Sequence, residues 1–392
     1  MNFDEINDRK GTYCTQWDYI EDRFGKSGLL PFSISDTDFK IPEPITKQLE
    51  KILEHQIFGY TRWNHDDFKG SIQGFFQRRF DCHIEKDWVV YSPSVIYSVS
   101  VLLRLLSQDN DTVLCFNPMY DAFFNVVEKN KRNLISCHLN NETFQIDFHD
   151  FENKIKDCQV LLLCSPHNPT GRVWTSEELQ HIIKICQKYQ VKIISDEIHM
   201  DVILTNRKHQ PILKYLSQYN QLYLVSSSSK TMNTPGLGGS YAIIPNQEIK
   251  KQFLIQTKEK DFVNSANIMG MHACMVGYTQ CDNYIDQLVD YIKGNMRYVE
   301  TYLKENIPDF TFHIPESTYL AWIDVRKAPF SMDEIQKAFI EIGEVAIMDG
   351  KVYGDNGIGF LRMNCGCPRS KLEEGLKRMK KAMDALYQRK QR

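Results

Sequence analysis

An α/β fold, with a mostly parallel central sheet, helices on both faces and a smaller α+β domain beside it, is what this 392-residue sequence predicts. Three observations carry the expectation. From Trp88 onward, strand-like and helix-like patterns alternate, as they do in parallel sheets. Polar clusters at Ser94, Tyr120, Asn168, Asp196 and Lys230 fall at the carboxyl ends of the candidate strands, where such sheets bind ligands. Beyond the long helix that ends near Glu305 the period changes, and the length allows more than one domain.

Residues 1 to about 42 read as irregular and rich in turns. A helix is expected from Pro44 to His55, with Ile45, Leu49, Ile52 and Leu53 on one face, then the loop Phe58-Gly-Tyr60-Thr-Arg62 and a helix over Asp66 to Arg79. Strands follow at Trp88–Tyr91, Thr112–Phe116, Leu134–Leu139, Gln159–Cys164, Val191–Ser195, Leu222–Val225 and Tyr241–Ile244. Helices are placed at Val95–Ser107 and Asp121–Lys131, and Thr175-Ser-Glu-Glu178 has the form of a capping box. After Gln247 come helices, including a long one over Tyr284 to Glu305. Strands at Thr318–Asp324 and Gly359–Asn364, with helices over Met332–Ile342 and Ser370–Tyr387, complete the chain. The expected division is a large domain over 44–285 and a small one built from 1–43 and 286–392.

Charge and composition narrow the function. A net charge of -3 gives no electrostatic reason to expect nucleic acid or an anionic membrane as partner. The polar start lacks the apolar core of a signal peptide, and no apolar run approaches the ~20 residues that span a bilayer. A cytoplasmic location is therefore expected. The odd number of cysteines, 11, with most of them inside apolar stretches, fits reduced thiols acting as small hydrophobes. Cys365-Gly-Cys367 lacks a second pair to complete a zinc site and reads as structural.

The chemistry centres on Leu222-Tyr-Leu-Val-Ser-Ser-Ser-Ser-Lys230-Thr-Met-Asn-Thr-Pro-Gly236. A lysine just beyond a buried strand, among small hydroxyl residues, can condense with an aldehyde such as that of pyridoxal 5'-phosphate (PLP). Taken alone, the run also reads as a serine-rich linker.

The chain as a whole resembles the PLP-dependent enzymes of fold type I, the aspartate-aminotransferase fold. Within them it is most similar to the MalY/PatB-type cystathionine β-lyase (C–S lyase) branch. The resemblance spans almost the whole chain. It rests on Asp36-Thr-Asp38-Phe-Lys40, Phe58-Gly-Tyr60-Thr61, Ser165-Pro-His-Asn168-Pro-Thr-Gly-Arg-Val-Trp174, Ser195-Asp196-Glu-Ile-His199, Ser229-Lys230-Thr, Thr318-Tyr-Leu-Ala-Trp322 and Gly366-Cys-Pro368.

What this implies can be set beside the residues. Asp196 would pair with the pyridinium nitrogen and keep it protonated, satisfying a carboxylate that is costly to bury; the alternative is a capping aspartate. Asn168 would donate to the ring 3'-oxygen, or merely shape an Asn-Pro turn. The resemblance makes Tyr120 the ring that stacks on the cofactor, although by spacing alone it reads as a core aromatic. The phosphate would rest on the amides of Ser94 and Val95 at a helix N-terminus, with the hydroxyl of Ser227 or Ser229. Tyr60 matches a residue that reaches the phosphate from the neighbouring subunit, so a homodimer with a shared site is implied. Arg362 matches the arginine that binds the substrate α-carboxylate; without the family it reads as a surface strand residue. His199 stands where transaminases carry tyrosine, and is expected to support the cofactor.

Departures are informative. Ser94 replaces a usual glycine in the phosphate loop. Gly238 lies where transaminases have a phosphate-binding arginine, which the lyase branch often lacks. Ser35, Thr37 and Asp121 differ from the common residues near the substrate and bear on side-chain preference. The expected function is a dimeric cysteine-S-conjugate β-lyase, with Lys230 as general base, acting on cystathionine and S-alkyl cysteines. An aminotransferase is the nearest rival. A protein that binds a transcription regulator is a second role, compatible with the first.

Overall fold

The computed structural model describes residues 1–263 and 265–391. Its strands in chain order are β1 Leu30–Pro31, β2 Val89–Ser92, β3 Thr112–Asn117, β4 Asn133–His138, β5 Val160–Cys164, β6 Lys192–Asp196, β7 Leu222–Ser226, β8 Ser240–Ile243, β9 Leu320–Asp324, β10 Val345–Ala346, β11 Met348–Asp349 and β12 Phe360–Asn364.

Among the described residues, seven strands form the central sheet in the order β2-β8-β7-β6-β5-β3-β4. The pairings β3–β4, β3–β5, β5–β6 and β6–β7 are parallel. Only β8 runs against its neighbours, pairing antiparallel with β2 and β7. The central strands β5 and β7 are buried at every residue, as strands covered on both faces must be. This burial is why they read as unbroken apolar runs. The expected mostly parallel sheet is what forms, and the reversed β8 brings Ser240 to the same end as the carboxyl ends of the others.

The helices begin where local chemistry supports them. Thr175 and Glu178 form the expected capping box at the start of Ser176–Lys188. The Ser94 hydroxyl accepts from the Tyr97 amide and caps Val95–Leu106. Most helix ends differ from expectation by a residue or two, but the last helix runs three residues past the expected Tyr387 to Lys390, and Met332–Ala338 passes into a π-helical turn, Phe339–Gly343. The helix Phe148–Ile155 and the short pieces β1, β10 and β11 were not anticipated. Their apolar signals are too short to carry a period.

A second sheet, β11-β12-β9, is antiparallel, and the last helix, Arg369–Lys390, packs against β10 and the helix Asp282–Asn306. The N-terminal chain returns to this region. β1 pairs in parallel with β10, and the Asn364 amide donates to the Phe32 carbonyl.

Candidate active site

Six segments converge on one cavity of about 220 Å³ at the carboxyl end of the central sheet. The turn after β2 contributes Pro93 to Ile96, β3 leads to Tyr120, and β5 leads to Cys164 and Asn168. β6 supplies Asp196 with Ile198 and His199, and β7 supplies Ser227, Ser229 and Lys230. The turn into β8 adds Gly238, Gly239 and Ser240. Every predicted cofactor contact except Tyr60 therefore lines a single cavity.

Lys230 lies in a one-turn helix, Ser229–Met232, immediately after β7. The serines before it, Ser226 to Ser228, are buried, so the linker reading fails. The Lys230 amine donates to the Ser35 carbonyl at 2.7 Å. Desolvation lowers its pKa from 10.5 to about 8; Asp36 acts against that shift, Arg362 adds to it, and Asp196 and Asp121 oppose it.

Asp196 is the last residue of β6 and only 3% exposed. Burial raises its carboxyl from 3.8 to about 7, against the Ile198 amide and the Lys230 charge. The Ile198 amide donates to Oδ1 at 3.2 Å, so the aspartate does shape the turn that follows. One such bond does not satisfy a buried carboxylate, which accepts at two oxygens. A cationic partner fits there.

His199 is buried, with its ring edge-on to Tyr319, and desolvation lowers its pKa to about 3. It is therefore a neutral imidazole at physiological pH, and its Nδ1 has no hydrogen-bond partner among the described residues. Tyr120 is half-buried: it packs on the core, edge-on to Phe123, and also lines the cavity. Burial pushes its hydroxyl to about 12, with Asp121 and Asp196 adding to the shift.

Arg362, on β12, is not a surface residue: it is 4% exposed. Its Nη1 donates to Asn168 Oδ1 at 3.1 Å, its Nη2 to the Ser33 carbonyl at 2.9 Å, and its plane lies 4.6 Å from the Tyr353 ring. Nε is buried without a partner, and no carboxylate pairs with this guanidinium among the described residues. The arrangement leaves Nε and one hydrogen on each terminal nitrogen for an anion next to Asn168.

At the other end of the cavity, Ser94 sits at φ -153°, ordinary extended backbone, so a Cβ is accommodated where glycine was expected. The first amides of the helix Val95–Leu106 face the cavity end, a natural anion site. The Ser227 hydroxyl donates to the Gly239 carbonyl at 2.8 Å and accepts from the Ser229 amide at 3.1 Å. Tyr60 stands apart. It is 100% exposed and borders a separate hollow with Thr61, Trp63, Lys258 and Phe262.

Several site residues escaped the sequence reading. Asn233 donates to the carbonyls of Thr37 and Phe39 and accepts from the Thr37 amide, locking the N-terminal segment over Lys230. Asn364 donates to the carbonyls of Ile34 and Asp36. Glu197 is fully buried, where it accepts from Ser195, from the Ile212 amide and from His209. The signal for these was position: Glu197 and Asn233 lie inside quoted stretches, and Asn364 ends an expected strand just before Gly366-Cys-Pro368.

The model of the aminotransferase class I and II family matches residues 27–379. Protein MalY of Escherichia coli (strain K12) is 40% identical over 96% of this chain and 97% of its own length. Cystathionine beta-lyase PatB of Bacillus subtilis (strain 168) is 33% identical over 98% of this chain and 100% of its own. Among solved structures, cystalysin from Treponema denticola, which contains a pyridoxal 5'-phosphate cofactor, superposes with a TM-score of 0.92 at 31% identity, covering 98% of this chain and 99% of that one. The chain belongs to the aminotransferase class I and II family.

Proposed function

We propose that this protein holds pyridoxal 5'-phosphate on Lys230 and eliminates the thiol from L-cysteine S-conjugates, cystathionine and S-alkyl cysteines among them. One observation carries the reading. A lysine amine brought to about 8 and a buried carboxyl held at about 7 share one cavity, and an arginine that lacks an anion borders it through Asn168, a residue of the cavity wall. The 33% identity to cystathionine beta-lyase PatB over 98% of the chain supports elimination as the outcome, as does glycine at position 238.

The donor set fits the cofactor. Asp196 would hold the pyridinium nitrogen, Asn168 the ring oxygen, and Tyr120 and His199 the ring itself. The amides of Ser94 and Val95 with Ser227 or Ser229 would hold the phosphate. When bound, the cofactor supplies an electron sink for the pair left at the substrate Cα. Arg362 takes the α-carboxylate through Nε and a terminal nitrogen and orients the Cα hydrogen toward Lys230. Lys230, as the neutral amine, removes the Cα proton. The Cβ–S bond breaks, and sulfur leaves with the electron pair and takes a proton. The 2-aminoacrylate left behind takes up water to give pyruvate and ammonia.

We read the enzyme as a homodimer in which Tyr60 completes the partner's phosphate site. Support comes from the full exposure of Tyr60, which follows the exposed Leu53, Ile57 and Phe58 in the chain and borders one hollow with the exposed Phe262. A large domain over 44–285 and a small one over 1–43 and 286–392 accord with the β1–β10 pairing. All eleven cysteines are free thiols, which supports a reducing, cytoplasmic setting.

The test supplies PLP-loaded protein with cystathionine and with S-benzyl cysteine, without a 2-oxo acid. Thiol and pyruvate released in equal amounts is the expected result, and Lys230→Ala abolishes both. Turnover that waits for a 2-oxo acid would make the protein an aminotransferase.

A further inference from the structure

The segment Ser33–Asp38 has no regular structure, yet side chains from distant parts of the chain occupy its carbonyls. Ser33 accepts from Arg362, Ile34 and Asp36 from Asn364, and Thr37 from Asn233. The Ser35 carbonyl accepts twice, from Lys230 Nζ at 2.7 Å and from the Tyr319 hydroxyl at 3.0 Å. Both of its lone pairs are thereby used. The side chain of the next residue, Asp36, is held by Arg9 through Nη2–Oδ2 at 2.9 Å and Nη1–Oδ1 at 3.1 Å, and by Gln16 at 3.0 Å.

Lys230 is thus faced from every side by groups that favour or oppose its charge. Asp36 lies on the N-terminal segment, Asp121 beyond β3, and Asp196 and the neutral His199 at the end of β6. Arg362 and Tyr319 come from the small-domain side. Of the groups that favour the ammonium, Asp36 has the largest effect, ahead of Asp196 and Asp121.

We propose that Tyr319 and the Asp36–Arg9 pair are positioning residues for the Lys230 amine: they fix where the free amine rests and set how readily it holds a proton. The inference rests on Lys230 being the group that moves the Cα proton. Tyr319 pins the Ser35 carbonyl in place, so the amine returns to one position between proton transfers. An ammonium is the stronger donor to that carbonyl, and the Asp36 charge favours the ammonium further, whereas burial and Arg362 favour the neutral amine. The balance keeps the amine able to take a proton and to give it up near neutral pH.

The arrangement predicts opposite effects for the two halves of one ion pair. Asp36→Asn removes the negative charge and shifts the Lys230 titration down by about one pH unit. Arg9→Gln removes the cation that partly neutralises Asp36 and shifts it up. A role confined to holding the loop would move both variants in the same direction. The measurement is acylation of Lys230 by an amine-selective reagent across pH, in the cofactor-free full-length chain, read from the mass of the Lys230 peptide. The PLP-loaded forms supply a second readout, the pH midpoint of their visible absorption. Asp36→Glu restores the wild-type midpoint, and Tyr319→Phe speeds acylation severalfold on the high-pH plateau, because its amine has lost a fixed acceptor.

Shifts of the same sign for Asp36→Asn and Arg9→Gln, or no shift in either, overturn the proposal. Should Asp36→Asn fail to fold, the Arg9→Gln midpoint decides alone, and an unchanged or lowered value refutes the idea. The titration is independent of the reaction catalysed. Normal thiol release with unshifted midpoints sinks only this inference, whereas opposite shifts in a chain that transaminates sink only the proposed reaction.

Discussion

Replacing Asp196 with asparagine should make the cofactor-free protein more stable at pH 8. Asp196 is buried at the end of β6, and its carboxyl is raised from 3.8 to about 7. A raised acid binds its proton more tightly in the folded chain than in the unfolded one. Its stabilising effect is full below pH 3.8 and is lost as pH rises through 7, so at pH 8 the folded state bears the whole cost of the buried charge. That cost is at most about 4 kcal/mol, from 1.36 kcal/mol for each pH unit by which the carboxyl is raised. Asparagine keeps an oxygen for the Ile198 amide but buries an amide group of its own, which brings the expected gain to about 2–3 kcal/mol. With about 2.1 cal/mol/K of unfolding entropy per residue over 392 residues, the thermal midpoint should rise by about 2–4 °C. The assay is thermal unfolding of both cofactor-free proteins at pH 8 and at pH 5, where protonation of the carboxyl removes about 3 kcal/mol of its cost and the difference should nearly vanish. Adding PLP should reverse the order, because wild type binds it more tightly. A variant no more stable than wild type at pH 8, or an advantage that grows as pH falls, would refute the argument.

Other residues make equally direct predictions. Arg362→Lys keeps the charge but loses the fork; kcat/KM should fall about 10- to 100-fold, equivalent to losing one charged hydrogen bond, while the cofactor spectrum is unchanged. Tyr60→Ala and Lys230→Ala proteins, each inactive alone, should recover activity when unfolded and refolded together, since a mixed dimer contains one intact shared site; no recovery would place Tyr60 outside the site. Ser94→Ala should cost about 1 kcal/mol through loss of the cap on Val95–Leu106, and Ser94→Gly a few tenths, measured as shifts in the thermal midpoint.

Much of the site was legible because its local signals and its long-range role coincide. Asp196 ends a buried strand, Asn168 and Lys230 each follow one, and the parallel order of β5, β6 and β7 carries those strand ends to one place. Strand alternation alone therefore located the cavity. What escaped notice was whatever depends on pairing across the chain. Asn233, Asn364 and Tyr319 look like ordinary turn and strand residues, and their work is to hold a segment about 200 to 330 residues away in sequence. No period or spacing encodes such partners. The same limit hid β1 and β10, two-residue strands that exist only because they meet each other.

The phosphate end of the cavity explains why glycine at position 238 is more than a missing arginine. Gly238 adopts φ +67° and Gly239 φ +90°, a left-handed path that disfavours any side chain. The path is needed because the loop tucks under the turn after β2 and against the helix Ile268–Gln280. The Gly239 amide donates to the Pro93 carbonyl, and a Cβ on Gly270 would lie 2.3 Å from the Gly238 carbonyl oxygen. Arginine at this position would strain the backbone that carries the Gly239 carbonyl to the Ser227 hydroxyl. Lys230 is then the only lysine or arginine among the cavity-lining residues, so neutral donors would have to hold the phosphate: helix amides, serine hydroxyls and, in the proposed dimer, a tyrosine. Such a site relies on aligned dipoles rather than ion pairing. Its affinity for the cofactor should depend more on the geometry of the Ser94 turn and the Ser227–Gly239 bond than on salt concentration.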